Sequence, residues 1–139
     1  MERGSLGQKT IETAKALPLA VSMRTVVLSK RADFLRVARA RRQACPAFLI
    51  QARRRDPEEP SEAPVRVGFT CSKKVGNAVA RNRAKRRLRA LAQAVLPDAG
   101  REGWDYVLVG RKDATASRDF SLMLEDLRRA IESVHRSKK

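Results

Sequence analysis

The sequence predicts one α/β sandwich, helices packed on a small sheet. Three observations carry that expectation. The apolar pattern changes period along the chain in the order helix, strand, strand, helix, strand, helix. The 139 residues suit a single domain, and a hydrophobic share of 42% is enough to fill a core. No internal repeat interrupts the succession.

Each element has its own reason. Residues 1–22 lack a sustained apolar pattern, and Glu2 and Glu12 flank a polar stretch where a cleaved signal peptide would turn hydrophobic. They read as a flexible extension, with Met23 a candidate start and residues 23–139 the folded domain. From Ser29, a candidate N-cap, to Arg39 the spacing is helical, with Phe34, Leu35, Val37 and Ala38 on its apolar face. Pro46 to Ala52 reads as a strand, with Phe48, Leu49 and Ile50 consecutive and so buried on both sides. Arg53 to Pro64 holds three prolines and four acids and reads as a solvent loop. Val65, Val67 and Phe69 alternate in a second strand running to Cys71. In the turn Lys73–Asn77, Gly76 and Asn77 tolerate positive φ, and Asn77 can cap a helix running from Ala78 to Leu96 and stopping at Pro97. On a helical wheel Ala80, Ala84, Leu88, Leu91 and Val95 share an arc of about 80°, and cations fill the opposite side. Trp104 to Gly110 is a third strand. A last helix spans Ser117 to Arg136, with Phe120, Leu124, Leu127, Ile131 and Val134 as its core face.

Charge narrows the function. The formal net charge is +16, from 31 basic and 15 acidic side chains, and no acid occurs between Glu62 and Asp98. Residues 66–89 alone carry nine basic groups. A field of this size attracts polyanions and excludes an ordinary small metabolic enzyme as the first reading. Aromatics are only 4%, too few for a broad base-stacking platform. Cys45 and Cys71 have no zinc spacing and read as reduced thiols. His135, the single histidine, has no nucleophile beside it and reads as a surface residue near a helix end. Asp98, Glu102 and Asp105 surround two glycines and read as a solvated loop rather than a metal site. No catalytic constellation and no metal set emerges.

One segment is specific. Arg66 to Arg89, RVGFTCSKKVGNAVARNRAKRRLR, resembles the signature of the bacterial ribonuclease P protein subunit, with Arg81, Asn82 and Arg83 heading that family's arginine-rich helix. Ser29 to Phe34 resembles its first helix and Trp104 to Arg111 its last strand, so the likeness spans about residues 24–136. A ribosomal RNA-binding protein would carry similar charge without this order of motifs. A protein-only nuclease would need a carboxylate cluster that the basic middle of the chain lacks.

The resemblance implies an αβββαβα-like order, a mainly antiparallel sheet, and a left-handed β-α-β crossover where the general rule gives the right-handed one. It implies a subunit of a cytoplasmic ribonucleoprotein endonuclease that removes the 5′ leader of precursor tRNA. The expected partners are the RNA subunit and precursor tRNA, with no membrane and no DNA. The catalytic Mg2+ belongs to the RNA, and the protein alone binds no cofactor. The RNA-binding residues would be Lys73, Lys74, Asn77, Arg81, Asn82, Arg83, Lys85, Arg86, Arg87 and Arg89. Arginine suits this task because its planar fork grips phosphate oxygens with two bonds. The leader would lie in a cleft at Phe34, Ala38, Leu49 and Gln51. Ala38 stands where the family often has a second phenylalanine and Gln51 where a tyrosine can occur, so stacking surface is reduced at both.

Overall fold

A computed structural model describes residues 25–58 and 64–136. The expected extension over residues 1–22, Met23 and the acidic stretch 59–63 lie outside the described residues.

Five strands and four α-helices follow in the order β1 (Thr25–Val27), α1 (Arg31–Ala38), β2 (Arg41–Ala44), β3 (Phe48–Arg54), β4 (Val65–Thr70), α2 (Ala78–Ala99), β5 (Trp104–Gly110), α3 (Ala114–Ser117) and α4 (Phe120–Arg136). They form one sheet in the order β1-β4-β5-β3-β2. The β1–β4 and β4–β5 pairs are parallel, and β3–β5 and β2–β3 are antiparallel. The sheet is therefore evenly mixed rather than mainly antiparallel. The added parallel pair comes from β1, a three-residue strand too short to leave a periodic signal. β2 was equally hidden, because its sequence RRQA is polar and it lies at the sheet edge, where charge guards against stray pairing. Cys45 N donates to Phe48 O (2.8 Å) and closes the β2–β3 turn.

Strand alternation divides the core in two. On one face Phe48, Ile50, Val65, Val67, Tyr106 and Leu108 meet Leu88, Leu91 and Val95 of α2 and Met123, Leu127, Ile131 and Val134 of α4. On the other face α1 alone among the described residues covers the sheet, in a small cluster of Leu28, Val37 and Val107 with Phe34 and Val109 at its edge. β5 is the middle strand, and Trp104 to Leu108 are all buried in it. Leu49 points to the α1 face and is only half-buried, so the Phe48–Ile50 run is not buried on both sides.

Several boundaries differ from the sequence reading, each for a local reason. α1 is capped at Lys30 rather than Ser29, with no side-chain cap bond. α2 runs through Pro97 to Ala99, since a proline in the last turn forfeits a single hydrogen bond and Gly100 N still reaches Leu96 O (2.9 Å). The last helical stretch is broken into α3 and α4 at Arg118 and Asp119, and Met123 takes the fully buried position while Leu124 is half-buried.

Buried polar groups supply the rest. Asp105 is not a loop residue: it lies in β5 at 1% exposure, held by Arg55 and by both Nε (2.9 Å) and Nη2 (2.6 Å) of Arg66. Arg55, expected in a solvent loop, is itself buried and also donates to Pro64 O (2.8 Å). Asp126 holds Arg118 (2.7 Å) and Arg129 (3.1 Å). His135 is half-buried instead of superficial. Its Nε2 lies 2.7 Å from the Tyr106 hydroxyl and its ring sits edge-on to Trp104 at 4.2 Å. Burial, with Arg101 and Arg41 nearby, pulls its pKa down to about 4. Burial likewise pushes Tyr106 up to about 12.

Candidate nucleic-acid interface

The arginine-rich helix begins at a built corner. Ser72 Oγ accepts from Lys74 N (3.2 Å) and starts a single 3-10 turn over Lys73–Val75. Gly76 then takes φ +144°, where a side chain would be strained and a Cβ would stand 2.9 Å from the Ala80 Cβ. Asn77 follows as the N-cap, its Oδ1 accepting from Ala80 N (2.9 Å). Leu88 marks where the helix reaches the sheet: a Cβ built on Gly110, the last residue of β5, would be 3.7 Å from Leu88 Cδ1. α2 descends from there to start β5, so its first ten residues stand beyond the sheet end, about 15 Å of helix. The short α3 packs beside this overhang.

The predicted RNA-binding residues, on the overhang and flanking it, fall in three settings. Lys73, Lys74, Asn77, Asn82, Arg83, Arg86 and Arg89 are exposed. Arg81 and Lys85 are half-buried on the β4 side, where Arg81 also donates to Gly76 O (3.1 Å). Arg87 differs from the others. Its guanidinium turns toward α3 and donates to the carbonyls of Thr115 (3.1 Å), Ala116 (2.7 Å) and Arg118 (2.9 Å), with its carbon 5.7 Å over the Phe120 ring. Its donors are used within the protein, so it closes the end of α3 rather than joining the exposed face. No residue from Lys73 to Arg89 is paired with a carboxylate among the described residues.

A groove opens on the other side of the sheet, under α1. Its volume is about 490 Å3, and Phe34, Leu35, Ala38, Gln51, Thr70 and Val109 are among its walls. Three of the four expected cleft residues, Phe34, Ala38 and Gln51, are brought together there. Leu49 is not on the wall; it lies one step along β3, opposite Val109. Phe34 serves both packing and lining. A Cβ on Gly68 would stand 2.5 Å from its Cε1, so the ring rests on bare β4 backbone beside Leu28 and Val37. Thr70, Val107 and Val109 escaped the sequence reading. They share the face of Gln51 through the strand register, which only the pairing partner reveals. Phe69 connects the two regions, since it lines the groove while Arg89 lies 5.4 Å over its ring.

Among the described residues no three His, Cys, Asp or Glu side chains converge. The two buried carboxylates, Asp105 and Asp126, already hold two arginines each and do not fit a metal. Burial raises both thiols, Cys45 to about 11, which makes them poor nucleophiles. No helix among the described residues is long and apolar enough to cross a membrane.

Comparisons with known proteins show the family and the fold. The family model described as Ribonuclease P matches residues 23–135. A ribonuclease P protein component of Ruegeria pomeroyi is 59% identical over 123 residues, covering 88% of this chain and 97% of the relative. That of Paramagnetospirillum magneticum is 50% identical over 108 residues, covering 77% and 80%. Among solved structures, the Staphylococcus aureus RNase P protein is similar with a TM-score of 0.61 at 23% identity, over 79% of this chain and 95% of that one. The Thermotoga maritima protein gives 0.58 at 24% identity, over 81% and 97%. These two likenesses bear on the fold alone.

Proposed function

The chain belongs to the ribonuclease P protein family, and from that premise we propose how its surface is divided: the α2 overhang binds the RNA subunit, and the groove under α1 receives the leader of precursor tRNA. As a protein component of this ribonucleoprotein endonuclease, the chain serves the removal of 5′ leaders from tRNA precursors.

The observation that carries the division is the unpaired charge of the overhang. Exposed guanidinium and ammonium groups without acidic partners release counterions from an RNA backbone at no cost in broken ion pairs. Arg81, Lys85 and Arg89 follow one another a turn apart, a spacing that can track successive phosphates. Asn82, exposed beside them, both donates and accepts and suits a ribose hydroxyl or base edge. Double-stranded RNA is gripped mainly through shape and backbone, so a helix of cations needs few other devices.

The groove has a different character. Its walls are more apolar than polar, with Phe34 as the aromatic surface of α1 and Ala38 offering no second ring. A single-stranded leader stacks one base on Phe34, and Arg31 and Arg89 at the margins meet its phosphates. Magnesium and the bond-breaking step belong to the RNA subunit; the protein lowers the repulsion between two polyanions. The cytoplasm, where tRNA precursors are processed, is the compartment that fits.

The test is reconstitution at low magnesium with precursor tRNA. Strong cleavage is expected only when protein and RNA subunit are both present, and cleavage by the protein alone would overturn the division. Within the holoenzyme, Phe34→Ala is expected to weaken precursor tRNA relative to mature tRNA by about 1–3 kcal/mol. An unchanged precursor-to-mature affinity ratio would remove Phe34 from the leader site.

A further inference from the structure

The side chains of α1 sort into two flanks. At about 100° per residue, Asp33 and Val37 lie on one flank and Leu35 and Ala38 on the other, with Phe34 between them. The structure keeps that order: Phe34, Leu35 and Ala38 line the groove, and Asp33 and Val37 do not. How far Phe34 reaches into the groove therefore depends on how the helix is rolled about its own axis. The apolar contacts leave that roll weakly determined. Val37 is the one buried residue of α1, no side chain caps its start, and the Phe34 ring lies on Gly68, where no Cβ stops it from sliding.

The determinant lies behind the helix. Arg66 stands two residues before Gly68 in β4 and so on the same face of the sheet. Its guanidinium is fixed by Asp105, through Nε (2.9 Å) and Nη2 (2.6 Å). Its third nitrogen, Nη1, lies 3.6 Å from Asp33 Oδ2. Adjacent residues of the helix are thus seated on alternate residues of one strand, Asp33 on Arg66 and Phe34 on Gly68. Leu28 N donates to Val67 O (2.7 Å), between the two seats, and holds the chain that leads into α1. The side chains of Asp33 and Arg66 are 13% and 21% exposed, so salt screens their attraction little. Neither belongs to the groove wall.

We propose that the Asp33–Arg66 ion pair is a positioning device for leader binding: it fixes the roll of α1 and so presents the Phe34 ring to a leader base. The device rests on the reading that the groove receives the leader. Apolar contacts keep α1 on the sheet, and the ion pair sets which way it is turned. Arg66 is then both an internal tie to Asp105 and a fixed post for the helix.

The experiment measures the affinities of precursor and mature tRNA for holoenzyme reconstituted from full-length protein and ribonuclease P RNA, with cleavage suppressed. Asp33→Asn keeps the shape of the side chain and removes its charge, and at 3.6 Å there is no hydrogen bond to Arg66 to lose. Arg66 keeps Asp105, so no buried cation is abandoned. The variant is expected to lower the precursor-to-mature affinity ratio by roughly 3- to 10-fold, within the range of couplings between groups in contact. Its affinities for mature tRNA and for the RNA subunit are expected to match wild type. Arg36→Gln, which removes only the more exposed partner of Asp33 (3.3 Å), is expected to keep the wild-type ratio. In a Phe34→Ala background, Asp33→Asn is expected to change nothing further. A wild-type ratio in Asp33→Asn, with the Phe34→Ala ratio reduced, would overturn the positioning role alone. Wild-type ratios in both would overturn the groove reading and the positioning role with it. Equal losses for precursor and mature tRNA would leave the pair a purely structural tie, and a full additional loss in the Phe34→Ala background would mean that it acts elsewhere; either result overturns the proposal. An equal loss in Arg36→Gln would take the role from Arg66. Should Asp33→Asn melt early, the ratio is read well below its transition, and a wild-type value there counts against the proposal.

Discussion

Arg118 lies 2.7 Å from a carboxylate oxygen of Asp126, whereas Arg86 stands exposed on α2 with no acidic partner among the described residues. The same contrast separates two whole regions. Around Asp105 and Asp126, four arginines are ion-paired and fasten strands and helix ends together. Along residues 73–89 acids are missing from the sequence, and the cations stay at the surface. Identical side chains thus serve as internal ties or as an outward-facing charge, and the distribution of a few carboxylates decides which. A net charge of +16 says that a polyanion is expected; the pairing says which cations keep their charge free of acidic partners among the described residues.

The comparison is broken most severely at its paired end. Asp105→Ala leaves Arg55, 8% exposed, without its carboxylate, and is expected to cost about 3–5 kcal/mol in urea unfolding while the folded fraction keeps its RNA affinity. A loss of RNA binding without a change in unfolding midpoint would reverse the assignment. Arg86 and Arg87 sharpen the boundary between the regions, being adjacent in sequence and opposite in use. Arg87→Ala is expected to lower stability by about 1–3 kcal/mol, since three carbonyls lose their donor. Arg86→Ala is expected to leave the melting temperature alone and to reduce the salt dependence of RNA binding by about one contact. Equal melting temperatures for the two variants would dissolve the distinction.

The smallest effect is a pH dependence. His135 stays neutral in the fold down to about pH 4, whereas in the unfolded chain it titrates near its ordinary value of 6.5. Between those values the unfolded state holds the extra proton, so stability is full above about pH 6.5 and falls as the pH drops toward 4. Because the ring is only half-buried, the loss is on the order of 1 kcal/mol. Unfolding midpoints from pH 7 to pH 4.5 measure it, and His135→Phe is expected to flatten that part of the profile.

Where local pattern decides, the sequence was readable. β5 has the limits its apolar run suggests, and α2 shows the stripe of Ala84, Leu88, Leu91 and Val95 that its spacing demands. The overhang's exposed cations were legible for the same reason, since they occupy the opposite side of one wheel. What depends on a distant partner was not. β1 needs β4 to become a strand, and β2 needs β3. Arg87 reads as one more cation until α3 arrives beside it, and Asp105 reads as a loop acid until Arg55 and Arg66 close on it. The groove was half-legible: the resemblance supplied Phe34, Ala38 and Gln51, while Thr70 and Val109 depend on strand register. Leu49 lies a single step along β3 from that wall.

α1 is the roof of that groove, and its attachment is slight. It has eight residues, no side-chain cap bond, and one fully buried side chain, Val37. A helix this short does not persist in water by its own propensity. It stands because Phe34 and Val37 rest on Gly68 and Val107. Any occupant that touches Phe34 from beneath adds to the few contacts keeping α1 wound, and a wound α1 holds the occupant. Occupant and roof are linked ligands of one another: filling the groove raises the free energy needed to unravel this helix by the same amount that the wound helix adds to the grip.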